Sequence, residues 1–326
     1  MNEEVRIGFI GCGGNARGHM QQIADLSGAR IVAVCDVIPE LANRAAETYG
    51  AVAYTSHRRL LKRPDLDTVY ISIPVFAHGR PELDTIDRGL PFFVEKPVAI
   101  NLHTAKRIAE AVVKKNLITC VGYQLRYSGA AEIAKEILDG ATVGLVSGMY
   151  WSGTGRGDAS QWIRQMVKSG GQLVEQATHT IDMMRYLIGE ITEVYTKQRS
   201  RLLRTIDCPD TNCLTFEFAS GVIGSMTATW AYDPSDWSHA NVLDITFDQS
   251  VLHWTYGGVS VTKDGQTAEL TRPDRSIDAV FIEAVRTGDG SAIRSPYTDG
   301  VKSLAVSLAA NRSGKTGRPE KIKEVS

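Results

Sequence analysis

The chain has 326 residues, with 36 Lys and Arg against 37 Asp and Glu, and a formal net charge of -1. This balance provides no basic surface for a polyanion, so the composition argues against nucleic-acid binding. The length is sufficient for two domains. No apolar run reaches the length of a membrane span, and the first residues lack the features of a cleaved signal, so we expect a cytoplasmic protein.

The first third of the chain alternates strand and helix patterns. Strands that read as continuous apolar runs, separated by helices, are typical of a parallel sheet covered on both faces. We therefore predict an α/β fold with a doubly wound Rossmann domain over residues 1–122. The predicted strands are residues 5–10, 31–35, 51–54, 68–73, 91–95 and 118–122, and the predicted helices are residues 19–26, 39–49, 81–88 and 102–115.

Beyond residue 122 the pattern changes to consecutive runs of alternating apolar and polar residues. Such runs indicate a mostly antiparallel sheet with one solvated face. We predict an α+β domain over residues 123–326 that binds the substrate, and its last helices can pack back on the first domain. The predicted strands are residues 143–151, 193–198, 211–218, 224–232, 242–247 and 251–256, and the predicted helices are residues 130–138, 173–188, 277–286 and 300–311.

The segment after the first predicted strand matches the pattern G-x-G-x-x-A. In this position Gly11 permits a tight turn, Gly13 lets the backbone approach a pyrophosphate, and Ala16 allows close packing of helix and strand. Asp36 ends the next strand, where a carboxylate can hydrogen-bond an adenosine ribose and would repel a 2′-phosphate. The sequence thus favours NAD over NADP, the alternative being a plain turn with Asp36 as a helix cap. The predicted cofactor-binding residues here are Gly11, Cys12, Gly13, Gly14, Asn15, Ala16 and Asp36.

Lys96 lies at the end of an apolar run, within the segment Glu95-Lys96-Pro97. A lysine at the carboxyl end of a strand, beside a nucleotide crevice, is placed to exchange a proton with a hydroxyl that gives hydride to nicotinamide. Partial burial and a neighbouring oxidised nicotinamide would lower the pKa of its amine toward a useful range. Glu95 and Pro97 would fix the backbone around it. The alternative is a solvated lysine at a strand end.

A second group of ionisable residues follows Gly170 and Gly171. Glu175 and His179 are four residues apart and would share one face of a helix, and Asp182 lies three residues further. A carboxylate one turn away can orient a histidine and raise its pKa, which suits proton relay or a hydrogen bond to a substrate hydroxyl. The alternatives are a helix-packing histidine and a metal site, for which the sequence offers no further ligand.

Aromatic and cationic residues near the predicted crevice are candidates for substrate recognition. Aromatic faces can stack on a ring of a substrate, and arginine can hold hydroxyls or a carboxylate. The alternative is that the aromatic residues fill the core. The predicted substrate-binding residues are Lys96, Tyr123, Arg126, Trp162, Arg164 and His179.

The order of these motifs resembles the glucose–fructose oxidoreductase/inositol dehydrogenase/rhizopine-catabolism (GFO/IDH/MocA) family. This resemblance implies a Rossmann domain followed by an α/β domain with an open sheet that is often used for oligomerisation. It also implies action on a sugar, a sugar derivative or a cyclitol. The motifs that carry it are Gly11-x-Gly13-x-x-Ala16, Asp36, Pro74-x-x-x-His78, Glu95-Lys96-Pro97, Arg126, and Gly170-Gly171 followed by Glu175-x-x-x-His179-x-x-Asp182.

The resemblance also implies residue roles. Lys96 would be the catalytic lysine, and His179 a second catalytic or substrate-orienting residue. Glu175 is a third catalytic candidate, although relatives commonly have Asp there. Further residues expected at the cofactor, near the nicotinamide, are Ile73, Pro74, His78, Glu95 and Lys96.

These observations together predict an NAD(H)-dependent oxidoreductase of a secondary hydroxyl, without a metal, that forms a homodimer or homotetramer. Two other functions stay open at this point. One is redox-neutral elimination or glycoside cleavage with transient use of NAD. The other is a non-catalytic NAD-binding sensor.

Overall fold

The structure is a computed structural model that describes residues 4–153, 161–232 and 241–322. The chain divides into two compact units. The first unit comprises Met1–Gly122 and Ser276–Val301, and the second comprises Tyr123–Arg275 and Lys302–Ser326.

Six strands form the sheet of the first unit: β1 (Val5–Ile10), β2 (Ala29–Cys35), β3 (Val52–Tyr54), β4 (Thr68–Ile71), β5 (Phe92–Val94) and β6 (Thr119–Val121). Their order is β3-β2-β1-β4-β5-β6, and every neighbouring pair is parallel. Strands β4, β5 and β6 are buried along their whole length, because helices cover both faces. The predicted doubly wound Rossmann sheet is therefore confirmed.

Five helices lie between these strands: α1 (Gly14–Ala24), α2 (Pro39–Tyr49), α3 (His57–Leu60), α4 (Arg80–Asp87) and α5 (Leu102–Lys115). Helix α1 starts five residues before the predicted start at residue 19, because the glycine loop turns directly into the helix. Its buried face consists of Ala16, Met20 and Ile23. The short helix α3 was not predicted.

The second unit is built on a nine-stranded sheet. Strand β7 pairs in parallel with β10, and the other neighbouring pairs are antiparallel, in the order β14-β13-β12-β11-β7-β10-β9-β8-β15. The predicted mostly antiparallel sheet is confirmed, whereas β13 to β15 were not predicted. The strands are β7 (Val143–Trp151), β8 (Ile191–Arg199), β9 (Thr211–Phe218), β10 (Ile223–Thr229), β11 (Asn241–Phe247), β12 (Ser250–Thr255), β13 (Gly258–Lys263), β14 (Gln266–Leu270) and β15 (Glu320–Lys321).

The remaining helices are α6 (Gly129–Leu138), α7 (Met166–Ser169), α8 (Gln172–Glu175), α9 (Thr178–Ile188), α10 (Ile277–Thr287) and α11 (Tyr297–Thr316). The prediction of one helix over residues 173–188 is wrong. Gln176 has φ of -121° and ψ of -52°, outside the regular helical range, and it separates α8 from α9. Among the residues that the structure describes, no helix is both long enough and apolar enough to cross a membrane.

Candidate active site

The loop between β1 and α1 has the geometry of a phosphate-binding turn. Gly11 has φ of +98°, and a Cβ at this position would lie 1.9 Å from the carbonyl oxygen of Ser72, so only glycine fits. A Cβ on Gly13 or Gly14 would meet nothing within 4 Å, which leaves the backbone open on that side. The N-terminus of α1 carries partial positive charge that suits a pyrophosphate. These residues therefore fit a dinucleotide.

Asp36 lies just after β2 and contacts this loop. Its carboxylate accepts hydrogen bonds from the backbone N–H of Cys12 at 2.8 Å and of Ile38 at 2.9 Å. Ile38 precedes the first residue of α2, and no side chain caps that helix. A carboxylate offers about four acceptor positions, so the half-buried Asp36 retains capacity for ribose hydroxyls. This geometry fits the predicted cofactor role and argues against a simple helix cap.

The predicted nicotinamide loop follows β4. Ile73 and Pro74 are half-buried, whereas the His78 side chain is fully enclosed. His78 Nδ1 lies 2.5 Å from Glu82 Oε1, and Glu82 also accepts the backbone N–H of Gly79 at 2.6 Å. His78 thus fixes the loop to the first turn of α4 and does not present its ring at the surface.

Lys96 is half-buried and follows β5 at the carboxyl edge of the parallel sheet. The Glu95 side chain turns inward, and its Oε2 accepts the backbone N–H of Lys96 at 3.1 Å. The other oxygen lies 2.8 Å from His19 Nε2, and His19 Nδ1 lies 2.8 Å from Asp278 Oδ1. The sequence analysis missed His19 and Asp278, since the two residues are 259 positions apart and no local spacing links them.

His179 lies in the first turn of α9 and is buried. The ring of Tyr123 meets it edge-on, with centroids 6.1 Å apart and an interplanar angle of 88°. The Tyr123 hydroxyl is 3.0 Å from Thr178 Oγ1, and burial raises the pKa of this tyrosine, so it is a neutral neighbour. Glu175 ends α8 and lies on a different helix from His179, so the predicted shared helical face is not realised.

Asp182 is bound by Arg126. The guanidinium donates two hydrogen bonds to the carboxylate, at 2.8 and 2.7 Å, and both side chains are almost fully buried. The Ser303 hydroxyl donates a further bond to Asp182 at 2.6 Å. The pair joins the turn after β6 to the helix that carries His179. Arg126 is therefore held inside the second unit. Asp182 lies three residues after His179 on the same helix, and its carboxylate binds Arg126.

The other two predicted substrate residues lie in one 3₁₀ turn, Trp162–Arg164. Trp162 is half-buried. Arg164 is buried, and its Nη1 donates to Thr205 Oγ1 at 2.7 Å. Within the described ranges, no group of three or more His, Cys, Asp and Glu side chains is arranged to hold a metal ion.

A Rossmann unit with a dinucleotide loop, followed by a unit with a mostly antiparallel sheet, defines a class of two-domain dinucleotide-binding proteins. Residues 5–123 match the family model described as the oxidoreductase family with an NAD-binding Rossmann fold, and residues 132–250 match the GFO/IDH/MocA C-terminal domain. The chain belongs to the GFO/IDH/MocA oxidoreductase family. The resemblance and the predicted NAD-binding domain are confirmed.

Sequence alignments with individual relatives cover most of the chain. The scyllo-inositol 2-dehydrogenase (NAD(+)) of Bacillus subtilis (strain 168) is 28% identical over 345 residues, covering 99% of this chain and 97% of that protein. The levoglucosan dehydrogenase of Pseudarthrobacter phenanthrenivorans is 27% identical over 294 residues, covering 79% and 73%. A solved levoglucosan dehydrogenase in complex with NADH has a TM-score of 0.87 at 21% identity, covering 98% of this chain and 100% of that one. The structural likeness supports the fold.

Proposed function

We propose that this protein is an NAD(H)-dependent oxidoreductase that transfers hydride between nicotinamide and a secondary hydroxyl of a sugar, a sugar derivative or a cyclitol. One observation carries the proposal. The glycine loop follows β1, Asp36 follows β2 and Lys96 follows β5 in one parallel sheet. The carboxyl ends of parallel strands share one edge of a sheet, so the cofactor loop and the acid–base candidate lie at the same edge.

The proposed cofactor is NAD in preference to NADP. Asp36 is held against the glycine loop by its bond from Cys12, at the position from which it can accept ribose hydroxyls. A carboxylate there repels a 2′-phosphate. The inositol dehydrogenase of B. subtilis named above is described with NAD(+), which supports the same preference.

Nicotinamide, when bound, would supply the hydride acceptor, and we assign the proton chemistry to residues of this chain. Lys96 takes the hydroxyl proton during oxidation and returns it during reduction. His179 orients the same hydroxyl, with its ring fixed by the edge of Tyr123. Glu175 is the third proposed catalytic residue, near the end of the short helix that precedes α9.

The relatives support this substrate class, since they are named for inositol and levoglucosan, both polyhydroxylated rings. Trp162 is half-exposed and suits stacking on such a ring. Tyr123, Arg126 and Arg164 are buried and hydrogen-bonded. We propose that these three shape the substrate pocket mainly by holding its walls.

The first test is NADH absorbance with purified protein, NAD or NADP, and a panel of sugars, sugar acids, glycosides and inositols. A rise with one substrate class and NAD supports the proposal. Product without a net rise in NADH would instead indicate redox-neutral chemistry. Binding of NAD without any product would favour the sensor.

A paired substitution then tests the role of Lys96. Lys96→Met should lower kcat by about 10²- to 10⁴-fold, the usual contribution of a general acid–base group, with an unchanged Kd for NAD. Lys114→Met is the matched control, because Lys114 is an exposed lysine on α5 of the same unit. Equal activity of both variants would contradict the assignment.

We also propose that the protein is a homodimer or homotetramer in which the outer face of the nine-stranded sheet is buried. Ile223, Leu145, Thr246 and Val251 pair across four neighbouring strands and are all exposed on one face. Light scattering should give a mass of two or four chains. Leu145→Lys should dissociate the assembly, whereas Leu202→Lys, at an exposed loop position, should not.

A further inference from the structure

Three ionisable side chains with little exposure to solvent form a cluster next to Lys96 in the first unit. His19 Nδ1 lies 2.8 Å from Asp278 Oδ1, and His19 Nε2 lies 2.8 Å from Glu95 Oε1. The exposed fraction of the side chain is 11% for His19, 9% for Glu95 and zero for Asp278. One imidazole thus joins two carboxylates that have almost no access to water.

The ring can donate to both carboxylates only when both of its nitrogens are protonated. Burial lowers the pKa of His19, but the hydrogen bonds to Asp278 and Glu95 outweigh burial and raise this pKa to about 10. Burial also raises the pKa of Glu95, but the bond and charge of His19 outweigh it, so this pKa lies below its usual value. The cluster is therefore an imidazolium held between carboxylates at neutral pH.

A contribution to the stability of the fold does not by itself account for such a buried charged cluster. A buried ion pair often stabilises a protein no better than apolar residues of similar volume. The His19 ring lies against Phe93 at 4.7 Å and Tyr70 at 5.8 Å between centroids, in surroundings that an apolar side chain could also fill. What distinguishes this cluster is that it holds the Glu95 carboxylate in one position.

The Glu95 carboxylate connects the cluster to the backbone of Lys96. Glu95 Oε2 accepts the backbone N–H of Lys96, and Oε1 is held by His19. The carboxylate fits tightly, because a Cβ on Gly122 would come within 3.0 to 3.2 Å of its atoms. His19 belongs to α1, whose first turn follows the glycine loop, and Asp278 belongs to α10. The cluster therefore connects α1, the end of β5 and α10.

We propose that His19 and Asp278 are positioning residues, which hold Glu95 and, through its hydrogen bond, the backbone of Lys96 in a fixed place relative to α1. The inference rests on the proposed function, in which Lys96 exchanges the substrate proton. A displacement of about 1 Å at a reacting group can lower the rate about 100-fold. The cluster therefore affects the rate of the chemical step, whereas the affinity for NAD depends on the glycine loop.

Asp278→Asn is the first variant, because Asp278 lies on α10 and its carboxylate bonds to His19. We expect kcat to fall by about tenfold or more, while KM and the Kd for NAD stay within about twofold. His19→Gln should give the same pattern. Glu95→Gln should retain more activity than Glu95→Ala, because the amide oxygen can still accept the Lys96 N–H.

The matched control is a second histidine–aspartate pair in the same unit. His57 Nε2 lies 3.0 Å from Asp84 Oδ2, joining α3 to α4. His57→Gln should leave kcat within about twofold of the wild type, even if the melting temperature changes. If Asp278→Asn lowers the melting temperature but leaves kcat unchanged, the cluster is only structural and the proposal is overturned.

A measurement without turnover separates this proposal from the proposed function. Trace acylation of the full-length protein, followed by mass spectrometry, gives the reactivity of the Lys96 amine relative to that of Lys114. The ratio should change by about threefold or more in Asp278→Asn and His19→Gln but not in His57→Gln, because amine reactivity follows its surroundings. An unchanged ratio overturns the positioning role. If the wild type oxidises no compound of the panel, the proposed function fails. The acylation ratio alone then decides whether His19 and Asp278 position Lys96.

Discussion

The carboxylate of Asp36 accepts the backbone N–H of Cys12 at 2.8 Å, so the acid that follows β2 is bound to the loop between β1 and α1. One side chain therefore binds the glycine loop and, in the proposed function, also accepts ribose hydroxyls. These two tasks make the nucleotide affinity of the protein sensitive to this carboxylate.

Asp36→Ala should weaken NAD binding by about 10- to 100-fold, since a hydrogen bond to a charged group contributes about 1.5–3 kcal/mol. The preference for NAD over NADP should also narrow, because the repulsion of a 2′-phosphate is lost. Titration calorimetry with both nucleotides measures these effects. Asp25→Ala, at an exposed residue after α1, is the control and should change neither affinity.

The glycine loop offers a contrast between folding and binding. Gly11→Ala places a Cβ 1.9 Å from the carbonyl oxygen of Ser72 at positive φ, so we expect a protein that unfolds at a much lower temperature. Gly13→Ala meets nothing within 4 Å, so the melting temperature should stay while the Kd for NAD rises. Gly18→Ala, on the exposed face of α1, should affect neither quantity adversely. Thermal unfolding and nucleotide titration give both quantities, and a stable Gly11→Ala would contradict the assignment.

Lys96 and His179 are proposed to act on one substrate hydroxyl, which predicts non-additive kinetics. His179→Gln alone should lower kcat by about 10- to 100-fold, and combining it with Lys96→Met should cost less than the product of the two single effects. Stopped-flow rates of NADH formation for the four proteins measure the coupling. Fully additive effects would indicate that the two residues serve separate steps.

The buried pair of Arg126 and Asp182 should contribute strongly to stability in the second unit. Asp182→Asn leaves a buried guanidinium without its countercharge, so the free energy of unfolding should fall by about 3–5 kcal/mol. Glu283→Gln breaks the exposed pair with Arg286 on α10 and should cost no more than about 0.5 kcal/mol. Urea unfolding of both variants tests this difference, and equal losses would refute it.

The raised pKa of His19 predicts a loss of stability at alkaline pH. The folded-state pKa of about 10 exceeds the ordinary value of 6.5, so the contribution of His19 is complete below about pH 6.5 and is lost as the pH rises through about 10. The free energy of unfolding should fall by up to about 1.4 kcal/mol per pH unit in this window. His19→Gln should remove that slope, as urea unfolding between about pH 7 and pH 9.5 can show. Parallel pH profiles for the two proteins would refute the charge assignment.

The sequence was sufficient for the parts of the fold that depend on local patterns. The apolar runs of β1, β2 and β4 and the helical spacing of α5 are visible without tertiary information. The start of α1 at Gly14 was missed, since glycine and asparagine are weak helix formers and only the loop geometry begins the helix there. Strand β14 is exposed along its whole length, so it has no apolar alternation to detect.

The common location of three candidate site residues was predictable from the strand pattern. Gly11, Asp36 and Lys96 each follow a strand, and parallel topology brings strand ends together. The break at Gln176 has neither Gly nor Pro to mark it, so Glu175 and His179 were assigned to one helix. The His19–Asp278 contact depends on chain segments separated by most of the sequence, and no periodic pattern encodes such a contact.

The discontinuity of the first unit has a consequence for biosynthesis. Residues 276–301 complete this unit, and they include Asp278, the partner of His19, and Ser295, whose carbonyl oxygen accepts the N–H of Val121 at 2.7 Å. Chains generally fold domain by domain as they leave the ribosome. Here the nucleotide-binding unit begins first and is finished only after residues 123–275 have been translated. A fragment that ends at Gly122 lacks both α10 and the Asp278 carboxylate that binds His19, so we expect it to be less stable than the complete unit.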